Sequence, residues 1–224
     1  NRPDRLNAFT GEQYARMAEM LNRVRDDDAV SAVVITGAGR AFSSGDDLSL
    51  YEDPEFARLA GLAFDSLMES LVTFDKPLLA AVNGLAIGFG ATFLLHFDVV
   101  LASPEARIRY PFTEMGTAPE AASSILLPRL VGTQRAAELL FAAEWIDAER
   151  ALELGLFAHL LPPEALVDGA LKLAADFSER SLPALRAAKQ LLLHGRRQDI
   201  EAAYARETEA AGRLSSELAP ESAT

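Results

Sequence analysis

Two glycine-bearing breaks are the first places in this 224-residue chain where chemistry could sit. Each follows an apolar run and precedes a helical one: Ser43-Ser44-Gly45-Asp46-Asp47, then Gly88-Phe89-Gly90. The first N–H groups of a helix have no partner within it and point outward with the positive end of the dipole. Two such groups aimed at one point would stabilise a developing oxyanion. Spacing alone favours ordinary turns that need Gly for backbone freedom. Glu120, in Pro119-Glu120-Ala121-Ala122-Ser123-Ser124, fits a capping box with Thr117, in which it would stabilise a helix start.

Other motifs fail. Gly37-Ala38-Gly39 follows a strand-like run, but position 42 is Phe, so the dinucleotide fingerprint is incomplete, and no G-x-x-x-x-G-K-[ST] exists. Ser43 and Ser44 do not stand in G-x-S-x-G, and no triad is legible around His96, His159 and His194. These histidines lack i, i+4 partners of ligand type, so no metal site is expected, and His96 reads as a packing or helix-end residue. The absence of Cys excludes disulfides, thiolate metal sites and a thiol nucleophile. Asp26-Asp27-Asp28 reads as a solvated loop.

The elements that must position these residues follow from periodicity. Phe9 to Val24 has helical spacing, with Thr10 as cap and Gln13 three residues on. Val30–Thr36 and Leu78–Val82 are short apolar runs closed by Gly37 and by Asn83-Gly84, the pattern of buried strands. Pro54–Phe74 is helical behind Asp53. Gly88 opens a helix to about His96, and Asp98–Ala102 and Arg107–Tyr110 read as strands. From Pro119 on, the chain reads as helices over 120–130, 133–143, 147–154, 163–178, 183–194 and 200–218. Alternating strands and helices with continuous apolar strands argue an α/β layered core. The expected division is a core over 1–165 and a C-terminal helical region over 166–224.

Composition narrows the partners. The chain carries 33 Asp+Glu against 21 Lys+Arg, a net charge of −12, which disfavours nucleic acid. No run approaches the ~18 apolar residues of a membrane span, and no leader is visible. An anionic ligand would need helix N-termini or a few Arg to overcome the global field.

Several segments in order resemble the crotonase superfamily, the enoyl-CoA hydratases and isomerases. Asn1-Arg2-Pro3-Asp4-Arg5-Leu6-Asn7-Ala8 resembles its N-R-P-x-x-x-N-A opening. Ile35 to Leu48 is similar to its I-T-G-x-G-x-A-F-x-x-G-x-D-L segment, and Lys76 to Gly90 to its K-P-x-x-A-A-V-N-G-x-A-x-G-x-G segment. Leu130–Ala136 and Ala151–Leu156 match later segments. The strand that normally precedes N-R-P is not in this sequence, as a trimmed start would leave it.

The resemblance implies a spiral of repeated ββα units with a C-terminal helical region that trimerises. It implies an acyl-CoA thioester substrate, with coenzyme A as part of that substrate and no separate cofactor, in a cytoplasmic homotrimer or hexamer. The backbone N–H groups of Asp46 and Phe89 would hold the thioester oxygen. Arg5, Leu6 and Ser44 would bind the coenzyme A moiety, with Arg5 toward a phosphate. Asp47 would orient its loop by accepting backbone N–H bonds. The side chain of Asp46 either faces away or helps choose the substrate. The two Glu positions of hydratases fall on Thr92 and Phe112, neither of which exchanges a proton near neutral pH. Glu120 instead resembles the single acid of the Δ3,Δ2-enoyl-CoA isomerase branch, with Glu114 as the alternative. Leu126, Phe89 and Phe93 would line the acyl pocket. Hydratase-like chemistry with a relocated acid, or a non-catalytic acyl-CoA-binding subunit, remain the other readings.

Overall fold

The computed structural model describes residues 1–218; the last six residues of the region expected over 166–224 lie outside it. Helix α1 (Gly11–Asp26) begins at the anticipated cap. Gln13 N–H donates to Thr10 Oγ at 3.3 Å, and Thr10 N–H donates back to Gln13 Oε1 at 3.0 Å. The chain then climbs as a spiral. β1 (Val33–Thr36) and β2 (Ala41–Ser43) lead into α2 (Pro54–Thr73). β3 (Leu78–Val82) and β4 (Leu85–Ile87) lead into α3 (Phe89–Thr92), a single turn that tightens into a 3-10 turn over Phe93–His96. β5 (Val99–Ala102) and β6 (Arg107–Arg109) lead into α4 (Ser123–Val131).

Successive strands alternate between two four-stranded sheets, ordered β1-β3-β5-β8 and β2-β4-β6-β7. All pairs are parallel except β6 with β7. The second sheet departs from the sequence reading, which anticipates neither β2 nor β4. The remaining elements are α5 (Thr133–Ala142), β7 (Ile146–Asp147), α6 (Ala148–Glu153), β8 (His159–Leu160), α7 (Leu166–Ser178), α8 (Leu182–Leu193) and α9 (Arg196–Leu218). Among the described residues no helix is long and apolar enough to cross a membrane.

Every residue of β3 is buried, as a strand covered on both faces should be. Leu166 and Ala170 of α7 cover one side, over Leu79, Ala81 and Leu101. On the other side lies an aromatic core in which Phe89 stands 5.0 Å from Phe9, 5.3 Å from Tyr14 and 5.0 Å from Phe64, ring centre to ring centre. Two of the three lysines are internal. Lys76 Nζ donates to Val24 O at 2.7 Å and Asp27 O at 2.6 Å, satisfying carbonyls at the end of α1. Lys189 Nζ ties α8 to Lys76 O and Asp98 Oδ2, each at 2.7 Å.

Candidate active site

The first glycine break is built by the N-terminal segment wrapping around it. Phe9 N–H donates to Gly45 O at 2.7 Å and Asp47 N–H donates to Phe9 O at 2.8 Å, which fixes the backbone on both sides of Asp46. Asn7, in the left-handed region at φ 55°, donates its side-chain amide to Ala38 O and Ala41 O, each at 2.8 Å. Ser43 Oγ bridges Asn7 O and Gly45 N–H at 3.0 and 3.1 Å. Arg5, Leu6 and Ser44 are brought together: Ser44 N–H donates to Leu6 O at 2.9 Å, and the Arg5 side chain is exposed beside it. Asp47 accepts from Ser49 N–H at 3.2 Å, and from Arg2 Nη1 at 2.7 Å. The break opens a 3-10 turn over Leu48–Tyr51 rather than an α-helix.

The second break lies against the first. A β-carbon built on Gly45, whose φ is +86°, would stand 3.2 Å from Phe89 N and 2.7 Å from Ile87 O. Only a residue without a side chain lets the two loops approach this closely. Among the described residues neither the Asp46 N–H nor the Phe89 N–H donates to a protein acceptor. Phe89 begins α3, so its N–H is one of the helix's orphan donors.

The Asp46 side chain takes a definite position. Its two oxygens accept from the hydroxyls of Tyr14 and Tyr51. Burial, first, and the Asp46 charge, second, hold the Tyr14 hydroxyl well above its ordinary value, so it stays a neutral donor.

Glu120 lies in the loop before α4, not inside a helix: α4 starts at Ser123. The helix anticipated over 120–130 is therefore shorter, and no capping box with Thr117 forms. The physical reason is the backbone of Ala121 and Ala122, both left-handed at φ 55° and 58°, which no helix can contain. Among the described residues no hydrogen bond acts on the half-buried Glu120 carboxylate. Desolvation, followed by the negative charges of Asp46 and Glu207, raises its pKa well above the ordinary carboxylate value. Glu114 is elsewhere, largely exposed and paired with Arg109 on the surface. Leu126, Phe89 and Phe93 are all buried in the core around the site.

A protein-family model described as enoyl-CoA hydratase/isomerase matches residues 1–219. The chain belongs to that family. It is similar to 1,2-epoxyphenylacetyl-CoA isomerase of Escherichia coli, 34% identical over 86% of this chain and 76% of that protein. It is equally similar to short-chain-enoyl-CoA hydratase of Clostridium acetobutylicum, 33% identical over 95% of this chain and 82% of that protein. The crystal structure of an enoyl-CoA hydratase/isomerase from Pseudoalteromonas atlantica superposes with a TM-score of 0.90 at 35% identity, covering 96% of this chain and 85% of that one. The spiral of two sheets described above is this crotonase fold, with the helical region at its C-terminus.

This chain has no carboxylate at the two positions that its resemblance to hydratases marks. Thr92 is fully buried and turns its hydroxyl to Phe89 O at 3.3 Å, and Phe112 is part of the core. Sequence reasoning alone assigns no place in the site to four residues that shape it: Tyr14, Tyr51, His96 and Glu207. His96 Nε2 bonds Ala121 O at 2.8 Å, beside Glu120. Burial lowers the His96 pKa to about 4, so the ring is neutral near pH 7 and donates from that nitrogen. Only Glu207 leaves a signal in the sequence. It interrupts the apolar stripe Ile200, Ala203, Tyr204 of α9 at helical spacing.

Proposed function

We propose that this enzyme moves the double bond of a 3-enoyl-CoA to the 2-position, with Glu120 carrying the proton. One observation carries the reading: Glu120 offers an unbonded, desolvated carboxylate, while Thr92 and Phe112 offer none. In this chemistry Glu120 takes a proton from C2, the carbon beside the thioester. The C2–H electron pair moves toward the thioester oxygen, giving a dienolate. The Asp46 and Phe89 N–H groups donate to that oxygen, and such donors are typically worth ~3–4 kcal/mol each in the transition state. The protonated Glu120 then returns the proton to C4, and the double bond re-forms between C2 and C3. A base with raised proton affinity suits both halves of this transfer.

Only a proton moves, so the reaction needs no cofactor beyond the coenzyme A of the substrate. Arg5, Leu6 and Ser44 are the proposed contacts for that moiety, through backbone atoms and the exposed Arg5 guanidinium. A cytoplasmic homotrimer or hexamer is the proposed form; the outward Leu191 and Leu192 of α8, 76% and 74% exposed, support association.

A second reading has one observation in its favour. The charge of Asp46 acts on Glu120, so two carboxylates share the site, and two are what addition of water requires. The test is to offer purified enzyme 3-enoyl-CoA and 2-enoyl-CoA, with Glu120→Gln as control. Isomerisation that Glu120→Gln abolishes supports the proposal, and unchanged isomerisation in the variant defeats it. Conversion of 2-enoyl-CoA to the 3-hydroxy product would favour hydration. Binding of both thioesters without turnover would favour a non-catalytic subunit.

A further inference from the structure

Glu207 is a buried acid for which the proton transfer has no use. It sits on α9 with 6% of its surface exposed, on the face that otherwise buries Ile200 and Ala203. An unpaired charge there would be strongly destabilising, so its partners matter. Glu207 Oε2 accepts from Ala122 N–H at 2.7 Å and Oε1 from Ser124 N–H at 2.8 Å. Both donors belong to the start of α4, which has no side-chain cap of its own. A residue 85 positions away in sequence thus caps this helix.

The capped segment is the one that carries Glu120. Its two left-handed alanines each cost roughly 1–2 kcal/mol, so the loop persists only where its surroundings hold it. Glu207 holds it from one side through Ala122 and Ser124, and His96 from the other through Ala121 O. We propose that Glu207 is a positioning residue for Glu120: the C-terminal helix reaches back to fix the backbone that aims the Glu120 carboxylate at the oxyanion loops. The inference rests on Glu120 as the proton carrier.

Charge gives this role a signature that packing alone would not. The groups acting on Glu120 are Asp46 from the first glycine loop and Glu207 from α9, and Glu120 in turn acts on Tyr14 of α1, Tyr51 of the 3-10 turn and Tyr204 of α9. The negative charge of Glu207 adds to the proton affinity of Glu120. Neutralising it moves the onset of activity to lower pH, because Glu120 then loses its proton more easily.

The experiment compares wild type, Glu207→Gln, Glu207→Ala and Glu120→Gln with a 3-enoyl-CoA across pH, and follows amide exchange by mass spectrometry. Glu207→Gln keeps the side-chain length but one acceptor oxygen becomes a donor, facing an N–H. The expected result is a kcat about tenfold or more lower, a KM within about threefold, and an acid limb displaced to lower pH. In Glu207→Ala, exchange at Ala122 and Ser124 should accelerate while the rest of the fold keeps its protection. An unchanged kcat, an unmoved acid limb, or undisturbed protection of those two amides overturns the proposal while Glu120→Gln remains inactive. Full activity in Glu120→Gln instead overturns the reading of Glu120, and the positioning role falls with it.

Discussion

Replacing Gly45 with Ala tests whether the two glycine loops act as one site. The new β-carbon would stand 2.7 Å from Ile87 O and 3.2 Å from Phe89 N. Both are backbone atoms of the second loop, so neither can swing aside as a side-chain tip would. To bring the nearer contact to the 3.4 Å of ordinary packing, the loops must separate by several tenths of an ångström. An Ala at φ +86° adds strain of about 1–2 kcal/mol. If the Asp46 and Phe89 N–H groups hold the thioester oxygen as proposed, they then cannot both reach it. Loss of one such donor costs ~3–4 kcal/mol, or 10²–10³ in kcat. The assay is steady-state isomerisation of a 3-enoyl-CoA, with substrate-analogue binding by calorimetry and a thermal melt. Gly61→Ala is the control: it stands in the interior of α2 with open space around its β-carbon, so it should keep full activity and gain about 0.5–1 kcal/mol of stability. A folded Gly45→Ala enzyme with kcat within about threefold of wild type would refute the argument, since the loops would then not need their close approach.

Two further predictions concern stability. Glu120 binds its proton more tightly in the folded chain than at the unfolded value of 4.5, so wild-type stability falls as pH rises from there through the raised value. Glu120→Gln removes that loss and should melt higher than wild type near neutrality, by ~1.4 kcal/mol for each tenfold gain in proton affinity on folding, with the advantage vanishing below about pH 4; equal melting temperatures at all pH would contradict the raised affinity. Lys189→Met leaves Asp98 without its cation and Lys76 O without a donor, and should cost about 3 kcal/mol, a melting temperature lower by roughly 10 °C. A loss under about 1 kcal/mol would mean that solvent replaces the pair.

The elements legible in the sequence are those whose signals are local. The Thr10–Gln13 box, the Asp53-Pro54 start of α2 and the apolar run of β3 each state their structure within a few residues. β7 and β8 have two residues each, too short for any period to register, and the three-residue β2 and β4 abut the glycine-bearing breaks and read as part of them. They exist because a neighbouring strand presents a ladder, as Leu85–Ile87 finds beside Arg107–Arg109. The start of α4 escapes sequence reasoning for a related reason. Alanine has no preference for the left-handed region, so nothing in Ala121-Ala122 announces the turn. Contacts from His96 and Glu207, distant in sequence, hold it there.

The same distinction explains the candidate site. The glycine breaks are visible because close approach of two backbones demands Gly. The acidic surround of Glu120 is not, because Asp46 and Glu207 come from segments far apart in sequence. That surround also changes the meaning of the net charge of −12. For binding an anion, excess acid is a handicap, which on the proposed reading the unpaired N–H groups of Asp46 and Phe89 and the exposed Arg5 would offset. For moving a proton it is an asset. A lone exposed carboxylate gives up its proton near pH 4 and is a weak base at neutrality. Burying Glu120 and placing two like charges beside it raises its proton affinity above the ordinary carboxylate value, the direction that the proposed proton transfer requires. On the proposed reading, the acidity that counts against nucleic acid as a partner would, at this one position, fit a carboxylate for proton transfer.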